Sequence, residues 1–349
     1  VAADLIRDTG AFGSASIDLY SPQPIEQTTS ATAAAFWAPY WVGSYPRHWA
    51  VESLSLLGDL ADQGVTGVHW MDFEEWLTLD GVAELERELA SHDSDAAYWW
   101  RDLPGIDFRI EPFRPTVTRT VPPLGDVEFS HRARFRTVVA RMSDYMAFLS
   151  ERAHASGKVR LRTDWVDELG QLAPRYDVVF NCTGWGARVL CDDDPETRQM
   201  KLLAGMVCRV ENDAVAHATL LHRAPFHETP LYVVPRHGTA SDVICGGTAI
   251  EVSPPPDPRM PLSAPAPAMW DAIMQRCHGV EPLLNDSDLR EQLCGLRPVR
   301  DHVRVEVDRA HDNLIHCYGH GGSGLTLSWG SVGAAIKLAH QQHDVRYRR

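Results

Sequence analysis

A glycine-rich segment near the end of the chain has residue types that suit a cofactor site. Residues 314 to 327 read LIHCYGHGGSGLTL, an apolar strand followed by closely spaced glycines and then by a helical pattern. Glycine has no Cβ, so this turn can approach a flat ring system closely and adopt positive φ angles. The helix predicted over residues 328 to 340 directs its partially positive N-terminal end at the turn. The segment predicts a site for an anionic or electron-accepting group, although a turn without a ligand would have the same composition.

Four further segments carry small and polar residues that could contact the same group. They are TTSATAAAFWAPY at residues 28 to 40, NCTG at 181 to 184, DVICGGT at 242 to 248 and GLRPVR at 295 to 300. In this order and at these separations, and together with HCYGHGGSGLT, they resemble the D-amino-acid oxidase and D-aspartate oxidase family of flavoproteins. The resemblance spans nearly the whole chain, and HCYGHGGSGLT is its most specific part.

Arg297, within GLRPVR, is the first candidate for a substrate ligand. Its guanidinium presents two parallel N–H donors that match a carboxylate, whereas a lysine would offer only a point charge. The resemblance implies that Arg297 binds the α-carboxylate of an amino acid and that the hydroxyl of Tyr232 gives a second hydrogen bond. It also implies that Gly322 lies over the reacting carbon, where its carbonyl accepts from the substrate amine. A structural ion pair for Arg297 and an ordinary strand position for Tyr232 are the alternatives.

The resemblance implies FAD as the cofactor, held by three of these segments. Hydroxyl and N–H groups suit its pyrophosphate, small side chains permit close approach to the flavin edge, and the start of the last helix faces the pyrimidine end. The implied cofactor-binding residues are Thr28, Thr29, Ser30, Ala34, Ala35, Cys182, Thr183, Gly184, Gly321, Ser323, Gly324, Leu325 and Thr326. Two nearby residues receive no chemical role: Arg300 is expected to be a structural or surface arginine, and His320 a packed or backbone-bonded histidine.

The composition predicts a globular protein that acts on small molecules. A chain of 349 residues with 44% hydrophobic residues can fill the cores of two domains. Its net charge of −14 and scattered basic residues argue against nucleic-acid and membrane partners. The seven cysteines lack metal-ligand spacing, so we expect no metal site and a reducing, cytoplasmic location. The implied partners are a D-amino acid and dioxygen, and a homodimer is left open.

The alternation of strand and helix patterns predicts an α/β protein with two domains. A Rossmann-like FAD-binding domain and an α+β substrate domain with a mixed or antiparallel sheet are expected. The first comprises residues 1–64, 130–200 and 290–349, and the second comprises residues 65–129 and 201–289. A long amphipathic helix is predicted over residues 135 to 155, at the return to the first domain.

The opening of the chain has the pattern of an incomplete dinucleotide-binding unit. A helical pattern at residues 1 to 7 precedes a short strand at residues 17 to 20. In a complete βαβ unit, a first strand and a Gly-x-Gly-x-x-Gly turn would come before them. We therefore expect the FAD-binding domain to be truncated at its first strand, with roughly twenty residues missing.

The implied function is the FAD-dependent oxidation of D-amino acids to 2-oxo acids, with release of ammonia and hydrogen peroxide. An oxidase of glycine, sarcosine or another secondary amine shares the architecture and is one alternative. A flavin-free relative that acts as a binding protein is another, because the phosphate-binding turn is absent. Met206 and the lack of an extra arginine near residues 227 to 229 favour neutral side chains over D-aspartate, while Glu228 leaves a basic one open.

Overall fold

The computed structural model describes most of the chain. The described residues are 14–24, 27–40, 42–90, 98–191, 193–228, 230–253, 255–259, 266–284 and 288–347. The helical pattern predicted for residues 1 to 7 lies outside these ranges. Within them, no helix has both the length and the apolar composition needed to cross a bilayer.

Strands dominate the central part of the chain, and helices flank it. The strands are β1 (Ile17–Tyr20), β2 (Val68–Leu77), β3 (Arg109–Val121), β4 (Gly125–Ala140), β5 (Val159–Arg162), β6 (Val179–Asn181), β7 (Lys201–Glu211), β8 (Ala218–Leu221), β9 (Leu231–Arg236), β10 (Asp242–Gly246), β11 (Ile250–Glu251), β12 (Asp288–Val307) and β13 (Leu314–His320). The α-helices are α1 (Arg47–Asp62), α2 (Leu79–Ala90), α3 (Met142–Ala155), α4 (Ala187–Leu190), α5 (Pro195–Arg198), α6 (Pro267–Val280) and α7 (Gly324–Tyr347).

One long mixed sheet contains most of these strands. Its order is β3-β4-β2-β8-β9-β10-β7-β12-β13-β6, with β11 added beside β7, while β1 and β5 form a separate parallel pair. The β2–β8 and β13–β6 pairs are parallel, and the other pairs of the long sheet are antiparallel. Strand β12 pairs with β7 on one side and with β13 on the other. It therefore connects the antiparallel strands to the strand that leads into the glycine-rich turn.

Side-chain alternation gives the sheet two apolar faces. On one face, Leu220 and Tyr232 pack in a large buried cluster that includes residues of α1. On the other face, Val233 and Cys245 pack against Trp270 of α6 in a second cluster. The face that carries Tyr232 is called the inner face below.

The helix predicted over residues 135 to 155 is wrong for its first part. Residues 135 to 140 belong to β4, which pairs with β2 along its length, and the helix begins only at Met142. The ring of Phe135 stacks on that of Phe73 in β2, with centroids 5.3 Å apart. β-branched residues and cross-strand packing favour the extended form here, and this tertiary pairing overrides the helical spacing of the apolar residues. The domain boundary predicted near residue 130 consequently falls inside β4.

The last helix is held against α1 at a point of very close approach. A Cβ added to Gly330 would lie 2.3 Å from both the Cα and the carbonyl oxygen of Trp49. Ser53 reinforces the contact, because its hydroxyl accepts hydrogen bonds from the backbone N–H groups of Trp329 and Gly330 and donates to the carbonyl of Trp49. This packing sets the position of the N-terminal end of α7.

Replacing Gly330 with alanine should destabilise the protein, because the new methyl group would collide with backbone atoms that cannot rotate away. We expect a loss of about 1 to 3 kcal/mol in the free energy of unfolding, measured by chemical denaturation. Gly333→Ala, in the same helix, is the matched control, since its Cβ would meet nothing within 4 Å. It should be neutral or stabilising by up to about 1 kcal/mol. Equal stability of the two variants would contradict the close approach.

Candidate active site

A short stretch of β12, residues 295 to 299, touches several of the segments singled out in the sequence. A Cβ added to Gly295 would lie 2.6 Å from the hydroxyl oxygen of Thr32 and 3.2 Å from a side-chain carbon of Thr29. The turn at Thr29–Thr32 therefore rests directly on the backbone of β12. Within that turn, the carbonyls of Thr28 and Ser30 accept hydrogen bonds from residues 31 and 33.

Pro298 of the same stretch contacts two more segments. Its carbonyl accepts a hydrogen bond of 3.0 Å from the N–H of Gly321, so it holds the glycine-rich turn in place. A Cβ added to Gly184 would lie 3.8 Å from its ring. The positive φ angles of Gly184 and Gly321, 57° and 54°, are conformations that glycine adopts readily. The structure thus brings three separated sequence segments to the part of β12 that contains the fourth, GLRPVR.

Arg297 lies at the centre of this stretch, on the inner face of the sheet. Its guanidinium lies on Gly205 of β7, where an added Cβ would be 2.3 Å from the central carbon of the guanidinium. One terminal nitrogen donates a hydrogen bond of 2.7 Å to the carbonyl of Thr248. The sequence analysis missed the role of Gly205, since its only signal is a glycine within a strand pattern.

The hydroxyl of Tyr232, a residue of β9, lies near the guanidinium of Arg297. Its ring lies against the backbone of the neighbouring strand, where a Cβ on Gly246 or Gly247 would come within 2.4 or 2.7 Å of the ring. Only 6% of Tyr232 is exposed. Burial raises the pKa of Tyr232, although the nearby guanidinium of Arg297 lowers it. The phenol is therefore a protonated hydrogen-bond donor beside a cation, an arrangement suited to an anion.

The small residues of TTSATAAAFWAPY run across the inner face and are anchored by backbone bonds. Ala35 has a φ angle of 55° and accepts a hydrogen bond from the N–H of Ala140. The carbonyl of Ala33 accepts a hydrogen bond from the side chain of Arg236. The ring of Phe36 packs edge-on against Tyr232, with centroids 6.2 Å apart. The predicted flavin-edge residue Ala34 lies in this anchored stretch, next to the proposed substrate ligands.

The N-terminal end of α7 is tied to the same segment by side-chain hydrogen bonds. Ser323 donates to the carbonyl of Tyr40 at 2.5 Å, and Thr326 both donates to and accepts from the backbone of Ala38. Both hydroxyls serve the protein's own backbone, so cofactor contacts at this end would come from backbone N–H groups. The first turn of a helix leaves such N–H groups without helical acceptors, here at Gly324 and Leu325.

These residues fit a flat anionic or electron-accepting cofactor such as a flavin. A Cβ added to Gly324 would meet nothing within 4 Å, so there is open space beside the end of the helix. A helix N-terminus stabilises negative charge, which is what a reduced flavin ring develops. Small residues on both sides of the space allow the backbone to approach a ring. The individual contacts with FAD stay predictions.

The NCTG segment forms a compact turn after β6. The side-chain oxygen of Asn181 accepts hydrogen bonds from both the N–H and the hydroxyl of Thr183. Cys182 is exposed, and the turn continues into a short 3-10 helix, Gly184–Gly186. The segment lies at the carboxyl end of a strand that pairs in parallel with β13, an edge where open α/β sheets bind ligands.

Two basic residues near the site have structural roles. Arg300 is 4% exposed and donates to the carboxylates of Asp194 and Glu196 at 2.9 and 3.0 Å, which confirms the structural role expected of it. His320 is confirmed as a packed histidine, with one ring nitrogen 3.0 Å from the hydroxyl of Ser331. Burial lowers the pKa of His320 to about 4, so its imidazole is neutral at pH 7.

Comparisons with known proteins find matches over most of the chain. A sequence model of a family described as FAD dependent oxidoreductase matches residues 1–336. A D-amino-acid oxidase of Rubrobacter xylanophilus is 34% identical over 347 residues, covering 97% of this chain and 91% of that protein. A D-aspartate oxidase of Homo sapiens is 27% identical over 343 residues, covering 93% and 87%.

A solved structure shows the same fold. The crystal structure of a glycine oxidase from Bacillus cereus aligns with a TM-score of 0.71 at 16% identity, covering 98% of this chain and 93% of that one. At this identity the likeness concerns the fold alone. It confirms the expected class, an α/β protein with a Rossmann-like FAD-binding part and a substrate part with a mixed sheet.

Because the pKa of His320 is low, the free energy of unfolding should depend on pH. At pH values above the unfolded pKa of about 6.5, His320 is neutral in both states. Below it, the unfolded chain binds a proton that the folded protein does not take up until about pH 4, so stability falls with pH. Between pH 7 and 5, the free energy of unfolding of His320→Gln should fall by up to about 2 kcal/mol less than that of the parent, measured by denaturant titration. The exposed His48→Gln is the control, and identical slopes for both variants would contradict the burial effect.

Proposed function

Because the chain belongs to the FAD dependent oxidoreductase family, we propose that it oxidises D-amino acids to 2-oxo acids with dioxygen as the electron acceptor. The family membership confirms the resemblance found in the sequence and makes FAD the cofactor. One observation carries the choice of substrate class. The guanidinium of Arg297 and the hydroxyl of Tyr232 lie together on the inner face, beside the glycine-rich turn.

The pairing of these two donors supports recognition of an α-carboxylate. Gly205 lets the guanidinium lie flat on the sheet, and the carbonyl of Thr248 orients it from one side. Tyr232 adds a neutral O–H donor whose ring is held between the strand backbone and Phe36. A planar carboxylate can accept from both groups at once, and hydrogen bonds to charged partners are the strong ones.

Orientation is the main contribution of the chain to the proposed reaction. When bound, FAD would supply the two-electron oxidation of the Cα–N bond, with dioxygen as the final electron acceptor and hydrogen peroxide as its product. Arg297 and Tyr232 would hold the carboxylate while the carbonyl of Gly322 accepts from the amine. Such positioning can contribute several kcal/mol, roughly 7 or more, to lowering the barrier. The imino acid then reacts with water to give a 2-oxo acid and ammonia.

This scheme needs no strong base at the reacting carbon. His320, the histidine of the glycine-rich turn, is neutral and lies in contact with Ser331. Its imidazole therefore has a structural role. The hydrogen leaves Cα with its electron pair, and no proton has to be removed from that carbon. The absence of a base from the scheme therefore agrees with the chemistry that the cofactor provides.

Oxidation of glycine or sarcosine is the competing proposal, since the glycine oxidase of Bacillus cereus has the same fold. Both substrate classes present a carboxylate to Arg297. Binding of this carboxylate by Arg297 and Tyr232, called the carboxylate clamp below, therefore does not separate them. A peroxide-coupled assay does, when it includes D-alanine, D-methionine, glycine and sarcosine, with L-alanine as the control. Turnover of the D-amino acids without sarcosine supports the proposal, and turnover of sarcosine alone overturns it.

Replacing Arg297 with alanine tests the carboxylate clamp. Two charge-assisted hydrogen bonds, each worth about 1.5 to 3 kcal/mol, would be lost, so kcat/KM for D-alanine should fall at least about 100-fold. The flavin absorbance per protein should be unchanged, because the side chain has no proposed contact with FAD. Arg290→Ala, on the same strand and paired with Glu211, is the matched control. A variant at position 297 with the efficiency of this control would refute the clamp.

Gly205→Ala tests the same clamp without removing the guanidinium. The new methyl group would overlap Arg297, whose flexible end can move, so the protein should fold while the guanidinium shifts off the strand. We expect KM for D-alanine to rise at least about tenfold, which corresponds to 1.4 kcal/mol. Gly333→Ala, with open space around its Cβ, supplies the control. An unchanged KM would show that the substrate does not depend on this position of Arg297.

A further inference from the structure

A chain of buried polar side chains lies behind the NCTG turn, on the face of β6 and β13 that is turned away from α7. Asn181 is the last residue of β6 and is paired with His316 of β13. Directly paired residues point to the same face of a sheet, and both residues are only 1% exposed. Tyr318 packs on this face too, whereas Cys317 packs against α7 on the other. Asn181 and His316 are therefore in contact away from solvent.

Asn181 links His316 to the turn that follows β6. Its side-chain oxygen accepts hydrogen bonds from the N–H of Thr183 at 3.2 Å and from the hydroxyl of Thr183 at 2.7 Å. Its amide nitrogen lies 3.1 Å from Nδ1 of His316 and 3.2 Å from Sγ of Cys191. Because the backbone N–H of Thr183 can only donate, the amide oxygen has to face the turn and the amide nitrogen has to face the imidazole.

This amide fixes the tautomer of His316. An amide nitrogen only donates, so Nδ1 accepts the bond from Asn181 and carries no proton. The single proton of the neutral ring is then on Nε2, which donates to a carboxylate oxygen of Asp308 at 3.1 Å. The other oxygen of Asp308 accepts from two backbone N–H groups of the turn before β13, so the carboxylate is itself held in place. The donors point in one direction, from Thr183 through Asn181 and His316 to Asp308.

The surroundings of His316 keep its ring neutral at pH 7. Burial is the largest influence and lowers the pKa of His316; Arg304 lowers it further, while hydrogen bonding to Asp308 and the charge of Glu306 raise it. Burial raises the pKa of Cys191, so the neighbouring thiol is uncharged. The titratable and charged groups around the ring are those of Cys191, Arg304, Glu306, Asp308, His311 and Tyr318.

A proton added to His316 would break the chain of hydrogen bonds at Nδ1. The imidazolium has an N–H donor at both ring nitrogens, so Nδ1 would meet the amide nitrogen of Asn181 as donor against donor. Rotation of the amide by half a turn would restore this bond, because the amide oxygen would then face Nδ1. The same rotation would remove both bonds that Asn181 accepts from Thr183. The conformation of the turn is thus coupled to the protonation of one buried imidazole.

The turn held by Asn181 belongs to the proposed FAD site. It contains Thr183 and Gly184, and Gly184 lies beside the ring of Pro298. The carbonyl of Pro298 accepts from the N–H of Gly321 in the glycine-rich turn. Loss of the bonds from Thr183 would therefore displace one cofactor segment relative to the other.

We propose that His316 is a positioning residue for the cofactor: through Asn181 it holds the turn at Thr183 and Gly184, and protonation of His316 weakens the binding of FAD. The inference rests on the FAD-dependent part of the proposed function and not on which amino acid is oxidised. One proton is taken up by the protein when FAD leaves. Acid therefore releases FAD from a chain that is still folded.

The test measures the dissociation constant of FAD, from the fluorescence of free flavin after dilution of the full chain loaded with FAD. In the parent, this Kd should rise at least about threefold between about pH 7.5 and about pH 5.5, because release is linked to proton uptake. Linkage to a single proton limits the rise to about tenfold per pH unit. Denaturant titration at the same pH values shows that the chain stays folded.

His316→Asn separates the positioning role from a general effect of burial. Its side-chain oxygen can replace Nδ1 as the acceptor for Asn181, but it does not titrate. The Kd of this variant should be close to that of the parent at neutral pH and should not rise in acid. A merely structural role for His316 would leave the acid response of the parent in place.

His316→Leu removes the acceptor altogether. FAD should bind at least about tenfold more weakly than in the parent at neutral pH, the value of one hydrogen bond of about 1.4 kcal/mol, and the Kd should not change in acid. His311→Gln is the matched control, because Nδ1 of His311 lies 3.1 Å from the oxygen of Asp308 that His316 does not contact. This control should keep the Kd and the pH profile of the parent.

The outcomes separate this inference from the proposed function. Loss of the acid response in His316→Asn, with the response retained in His311→Gln, supports the role of His316, even if His316→Leu does not fold. A parent whose Kd is the same at both pH values, or a His316→Asn variant with the acid response of the parent, overturns it. A chain that shows the expected FAD binding and yet oxidises no D-amino acid retains this inference and overturns the proposed substrate class.

Discussion

The close contact of one guanidinium with one glycine is the constraint on which the proposed site depends. Arg297 lies on Gly205, and any side chain at that position would displace it from the sheet. The same stretch of β12 supports the turn at Thr29–Thr32 and bonds to Gly321 through Pro298. The proposed substrate ligand and the proposed cofactor segments are thus attached to one strand, so their relative positions are set by the backbone. Preorganisation of this kind costs no reordering when a substrate binds.

The segments that meet at the candidate site could be predicted from the sequence, because the resemblance rests on the order and spacing of their motifs. GLRPVR, NCTG and the glycine-rich turn do meet at β12, and Arg300 and His320 are structural as expected. The contact roles of the proposed substrate and cofactor residues, the two-domain division and a homodimer stay predictions. Sequence patterns identify these segments because glycine-rich turns and strand ends are local features of the chain.

The parts that could not be predicted depend on pairing between distant strands. Gly205 faces Arg297 only through the register of β7 and β12, which no local pattern reveals. Residues 135 to 140 have helical spacing but extend beside β2, since the sheet provides the larger gain in packing. Functional groups outside motifs thus require the three-dimensional register.

The central claim is that the chain binds its substrate by the α-carboxylate. The most direct measurement compares kcat/KM for D-alanine with that for D-alaninamide, in which a neutral amide replaces the carboxylate and the reacting Cα–N bond is the same. A clamp made by Arg297 and Tyr232 predicts that D-alanine is preferred at least about 100-fold, because the amide offers no charge to the guanidinium. Equal efficiencies for the two compounds would contradict the account.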